Sequence, residues 1–185
     1  MDLIAHALWA GAAGSGKKNL AGRRIPVGWV VWWTMFPDLL AFGPPVTAAL
    51  WLRLAGDARD AGAYGGRLPW VHFGLPLYQL GHSLVVFAVV YAVVSVVARR
   101  PVLGLLGWLL HILIDIPTHS HSYYATRFLW PLSDYRFDGI SWRTPWFLAC
   151  TYGALAIVYL LLWGTGRLSR PRRSPLGRSD RSASS

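Results

Sequence analysis

YQLGHSLVVFAVVYAVVSVVARR, residues 78–100, decides the fold class. It is an apolar run over residues 78–98, stopped by Arg99-Arg100 and Pro101. About 20 apolar residues in a helix cross a ~30 Å hydrocarbon core, and this run supplies them. Residues 85–97 within it are apolar apart from Tyr91 and Ser95. The next segment, 102–117, is also apolar and ends in HILIDIPTH, residues 111–119. On a helix His111 and Asp115 stand one turn apart on one face. Pro117 should bend or end that helix and let His119 swing towards the same point. Ionisable groups cost roughly 2.5–3.5 kcal/mol each on membrane-insertion scales, so a cluster of them needs an explanation, and metal coordination is one.

Further apolar segments extend the pattern. Residues 1–13 form a short helix carrying His6, too short to cross unaided. A helix starting at Pro26 is expected to reach about Phe36 and end at Pro37-Asp38, and another opens at Pro44-Pro45 and ends near Gly56. Residues 57–69 read as a Gly-rich polar loop, 118–144 as an aromatic, Arg-containing loop, and 145–164 as the last span. The expected fold is an all-α, multi-pass integral membrane bundle with about four to five membrane-embedded helices. It occupies residues 1–166, and a disordered, basic cytoplasmic tail follows over 167–185.

Composition agrees with a membrane protein: 54% of the 185 residues are hydrophobic, 14% are charged, and 11 are Trp. With one cysteine, Cys150, neither an intramolecular disulfide nor a CxxC metal site can form. Glu is absent, so every side-chain carboxylate is an Asp. The net charge of +10 suggests nucleic acid, but the tail's six Arg lie among Ser and Pro without aromatics to stack on bases, and nucleic acid is not an expected partner. Asp2 stands where a cleavable signal would be basic, so the first helix is expected to be retained.

The positive-inside rule assigns an orientation. Lys17, Lys18, Arg23, Arg24, Arg99, Arg100 and the six tail Arg fall on one side of this threading; Arg53, Arg59, Arg67, Arg127, Arg136 and Arg143 fall on the other. The first set is expected to be cytoplasmic in the cell membrane. Counted from the nearest basic anchor, His6 is 11 positions from Lys17, Asp38 14 from Arg24, His82 17 from Arg99, and His111 and Asp115 are 11 and 15 from Arg100. At about 1.5 Å per residue all lie roughly 16–26 Å from the cytoplasmic edge, in the outer half of the bilayer.

Imidazole and carboxylate suit zinc and related divalent ions, and carboxylate-rich sites also take manganese or magnesium. The expected ligands are His6, Asp38, His82, His111 and Asp115, with His119 next and His121 last. Singly, His6 reads equally as a helix-packing histidine, Asp38 as a cap and His82 as an interhelical contact. His72 reads as interfacial. Tyr123, Tyr124, Trp130, Tyr135, Trp142 and Trp146 read as a membrane-interface belt. Arg127, Arg136 and Arg143 among them would also suit an anionic head group. Asp134 and Asp138 are either further ligands or counter-charges. GAAGSGKK (11–18) lacks the hydroxyl of a phosphate-binding loop, and GHSLV (81–85) lacks the final Gly of a nucleophile elbow.

At Ala5-His6 with Gly11, Pro37-Asp38, Gly81-His82-Ser83, and His111-x-x-x-Asp115-x-x-Thr118 leading to Leu129-Trp130-Pro131-Leu132, the chain resembles the family described as predicted membrane-bound metal-dependent hydrolases. That family has a second Asp after its Pro-Asp, where this chain has Leu39-Leu40, and a His five before its His-Ser pair, where this chain has Leu77. The resemblance therefore implies one metal. The H-x-x-x-D helix with an early His is also similar to the zinc phospholipase C and P1 nuclease group, which points to phosphoester chemistry. The resemblance implies hydrolysis of a membrane-associated (phospho)ester, on a membrane lipid or lipid-linked substrate, with zinc the favoured ion and Asp115 or Asp38 accepting a proton from activated water. A metal or proton transporter, and a scaffold whose polar residues join helices, are the alternatives.

Overall fold

The computed structural model describes residues 1–15, 25–55, 74–122 and 125–168. The helices are α1 (Leu3–Gly14), α2 (Val27–Leu54), α3 (Leu75–Gly81), α4 (Leu84–Val97), α5 (Leu106–Thr118) and α6 (Pro145–Gly164), with a 3-10 turn at Leu103–Leu105 before α5. The described residues contain no extended sheet, as the all-α expectation required. The central part of the basic loop, the Gly-rich loop with Arg59, Arg67 and His72, the pair Tyr123 and Tyr124, and nearly all of the tail lie outside the described residues.

By length and hydropathy two helices, α2 and α6, can cross a bilayer, or three if the bent pair α3–α4 counts as one span. That is fewer than the four to five expected. At 12 and 13 residues α1 and α5 reach only about 18–20 Å at 1.5 Å per residue.

Two segments depart from the sequence expectation in ways that build the site. The helix expected to end at Pro37 continues through Pro37, Pro44 and Pro45 as one 28-residue element. Proline removes a backbone donor, so the Trp33, Leu40 and Ala41 carbonyls, four residues before each proline, lose their usual helical partner while the helix continues. Asp38 therefore sits inside a helix rather than in a cap. Conversely, the run over 78–98 is broken: α3 and α4 meet at 61°. His82 closes α3, and the Ser83 hydroxyl caps α4 by accepting from the Val86 amide. Ser83 also donates to the Trp130 carbonyl.

Helix directions follow from paired contacts. Tyr152 donates to Asp2 and Tyr159 to the Leu8 carbonyl, so α6 runs parallel to α1. Thr34 meets Gly107 while Asp38 meets His111 and Asp115, so α2 and α5 are parallel. The Trp108 indole donates to the Gly81 carbonyl at 2.5 Å; His82 meets Asp115 while Phe87, further along, packs on Trp108, so α4 runs antiparallel to α5. The core is this seam of Phe87, Trp108 and Ile112. At Gly107, a side-chain carbon would run into the Val30 carbonyl and Thr34, so α2 and α5 approach backbone to backbone. The C-terminal carbonyls of α5 are taken up by the returning loop. Ile140, Trp142 and Gly139 amides donate to Pro117, Thr118 and His119 at 3.0, 2.9 and 2.9 Å.

Candidate metal centre

Four structural units deliver the site. α1 contributes His6, α2 contributes Asp38, the α3–α4 break contributes His82, and α5 contributes His111 and Asp115. One ligand atom from each of Asp38, His82, His111 and Asp115 lies within 4.8 Å of all the others. Asp115 is the hub. Its Oδ2 is 3.2 Å from Nε2 of both His82 and His111, and its Oδ1 is 3.1 Å from Nε2 of His6. Asp38 closes the opposite side, 3.6 Å from His82 Nε2, 3.8 Å from His111 Nε2 and 3.8 Å from His6 Nδ1. The three imidazoles and Asp115 are at most 1% exposed, whereas the Asp38 side chain is 14% exposed and forms the open edge.

A single local device aims the rings. In His6, His82 and His119, Nδ1–H donates to the carbonyl four residues earlier: Asp2 at 3.2 Å, Tyr78 at 2.9 Å and Asp115 at 3.1 Å. Fixing the proton on Nδ1 leaves Nε2 as a lone pair, the orientation that metal-binding histidines take from their outer partners. Tyr78 also stacks on His82 with ring centres 3.8 Å apart. His111 is the exception. The carbonyl four residues before it, Gly107, receives the Thr34 hydroxyl at 2.9 Å, and His111 Nδ1 is buried without a partner. Its Nε2 lies 3.0 Å from His82 Nε2, and His6 stacks on it at 4.0 Å. At this separation the two Nε2 atoms can share a proton or a cation.

The donor set suits a divalent ion. Two carboxylates would balance a dication and the imidazole nitrogens are borderline donors. His6 Nε2 is buried and, although 3.1 Å from Asp115 Oδ1, makes no hydrogen bond. The Met1 amino group donates to Asp115 and lies 3.3 Å from the Thr118 hydroxyl, so a cationic group already reaches the hub.

The remaining expected residues sit at the periphery. His119 is buried with Nδ1 3.5 Å from Asp115 Oδ1, but that nitrogen serves the Asp115 carbonyl. His121 is not part of the cluster: it is exposed and 3.9 Å from Asp138, whose carboxylate accepts its amide. Arg127 pairs with Asp134 at 3.1 Å, which makes Asp134 a counter-charge. Arg136 and Arg143 are exposed on the returning loop. Sequence reasoning missed Thr34, Tyr78 and Gly107. Thr34 and Gly107 each lie four residues before a candidate ligand, Asp38 and His111, and a small or hydroxyl residue one turn before an ionisable residue of an apolar helix was the available signal.

No family model matches the chain, and no curated protein or solved structure shows significant similarity to it.

Proposed function

We propose that this protein is a membrane-embedded, metal-dependent hydrolase of a membrane-associated ester, with a phosphoester favoured. The observation that carries the proposal is the convergence of His6, Asp38, His82, His111 and Asp115 from four units of an apolar bundle. Asp38, His82, His111 and Asp115 would hold the ion, zinc being favoured by the imidazole content, with His6 beside Asp115 as a further donor. A divalent ion bound there supplies Lewis acidity, bringing the pKa of a coordinated water to about 7 and polarising a phosphoryl oxygen. Asp38, at the open edge, is placed to accept the nucleophile's proton. Arg127, Arg136 and Arg143 on the returning loop attract an anionic head group.

The short helices α1 and α5 belong to the membrane-embedded count with α2, α6 and the bent α3–α4 pair, giving a site held by partial spans. The helices α1, α4 and α6 end, at Gly14, Val97 and Gly164, on the side of the bundle away from the site, and basic residues follow each end in the sequence. With their basic residues on the cytoplasmic side, the centre faces the outer leaflet. The resemblance to the membrane-bound metal-dependent hydrolases supports the same reading.

The test combines metal content with turnover. Detergent-purified protein should carry stoichiometric divalent metal that His111→Ala loses. A panel of phospholipid and other ester substrates should show turnover dependent on His111 and Asp115. No turnover by fully metallated protein across that panel refutes the hydrolase; ion flux in proteoliposomes abolished by Asp115→Asn would instead support a transporter.

A further inference from the structure

Beside the metal centre an apolar groove of about 740 Å³ runs between α1, α5 and α6. Its walls are Trp9 and Ala13 of α1, Leu113 of α5, and Cys150, Ala154 and Val158 of α6. One end is formed by Met1, Pro117, Thr118 and Phe147. That end adjoins the centre, because Met1, which lines it, donates through its amino group to Asp115, and that group lies 3.3 Å from Thr118 Oγ1. The other end lies by Ala13 and Val158, towards the opposite face of the bundle.

From this geometry we infer that the groove holds one acyl chain of a membrane lipid, with the lipid's polar group at the Met1–Thr118 end beside Asp115. Three observations choose that occupant over a protein segment. The walls are apolar side chains on helices of a bundle whose α6 is long enough to span, so hydrocarbon surrounds the opening. From Phe147 to Val158 the groove extends 11 helical positions, about 16 Å at 1.5 Å per residue, which matches one leaflet of a ~30 Å hydrocarbon core. Of the groove's two hydroxyl residues, Thr118 lies at the metal-centre end and Thr151 one turn along α6 from Phe147, so polar groups thin out towards Ala13 and Val158. An acyl chain entering from the bilayer thus keeps its usual direction, head at the interface and methyl end towards the midplane. The inference rests on the hydrolase reading for what happens to the lipid, and on geometry alone for its binding.

Occupancy is tested without turnover by photocrosslinking. Wild-type protein is placed in liposomes containing phosphatidylglycerol with a diazirine on one acyl chain, and labelled peptides are mapped by mass spectrometry. Groove peptides of α1, α5 and α6 should be labelled several-fold more than the exposed, apolar face of α4 that carries Val89, Val93 and Val96. Ala154→Trp and Ala13→Trp, each filling the groove from a different helix, should both cut groove labelling several-fold and leave α4 labelling unchanged. Groove labelling no greater than that of α4, or undiminished in both variants, overturns the inference. Turnover dependent on His111 without groove labelling would remove the groove and keep the hydrolase; groove labelling without any turnover would do the reverse.

Discussion

Gly107→Ala is the sharpest test of how the centre is held. A methyl group at this position enters the contact between α5 and the Val30 carbonyl and Thr34 of α2. Two effects oppose each other. Alanine is preferred over glycine in a helix interior by roughly 0.5–1 kcal/mol. Overpacking a close backbone contact costs about 1–3 kcal/mol, and separating the helices sacrifices the 2.9 Å Thr34–Gly107 hydrogen bond, worth about 0.5–1.5 kcal/mol. The balance is a net loss of about 1–3 kcal/mol, because both penalties fall on a contact with no flexible side chain to yield. The separation also moves Asp38, one turn beyond Thr34, away from His111 and Asp115, one and two turns beyond Gly107. Metal affinity should therefore fall about 10–100-fold, the range seen when an outer support of a metal ligand is lost. Gly153→Ala is the control: nothing lies near its added carbon, so it should be neutral or slightly stabilising. Thermal unfolding in detergent and metal titration against a chromophoric chelator measure both effects. Wild-type stability and wild-type metal affinity in Gly107→Ala would refute the close-contact account.

Other outcomes follow from the same geometry. Asp115→Asn should abolish metal binding, because the amide keeps the shape but removes the charge contacting three imidazoles; retained stoichiometric metal by elemental analysis would remove Asp115 as the hub. His121→Ala should leave metal content unchanged and His6→Ala should lower it, a contrast that fails if both behave alike. Tyr152→Phe and Tyr159→Phe should each destabilise the α1–α6 contact by about 0.5–1.5 kcal/mol, read as unfolding midpoints. Zinc at about 100 times its dissociation constant should stabilise the wild type by about 2.7 kcal/mol and Asp115→Asn not at all. In a Cys150→Ser background, cysteines at positions 122 and 170 should show opposite accessibility to an impermeant reagent, with 122 labelled in intact cells.

The sequence alone determined the helical class and the bounds of α6, because a long apolar run flanked by polar and proline residues has few alternatives in a bilayer. It also determined that His111 and Asp115 share a face, since helical periodicity fixes that relation within one element. Counting from basic anchors brought His6, Asp38 and His82 to a common depth, because rise per residue converts sequence separation into height. What depth could not supply was azimuth: whether ligands at one level face one another or face lipid depends on how each helix rotates, and packing decides that. The tertiary structure therefore decided the rest. Pro37 stays inside α2, buried where Gly81 of α3 packs closely against it, against the local preference for ending a helix. The run over 78–98 broke at His82-Ser83, where the Ser83 cap and the Trp130 carbonyl of a distant loop made a bend favourable. Thr34, Gly107 and Tyr78 acquired their roles only through contacts across helices, which no period in a single segment can encode.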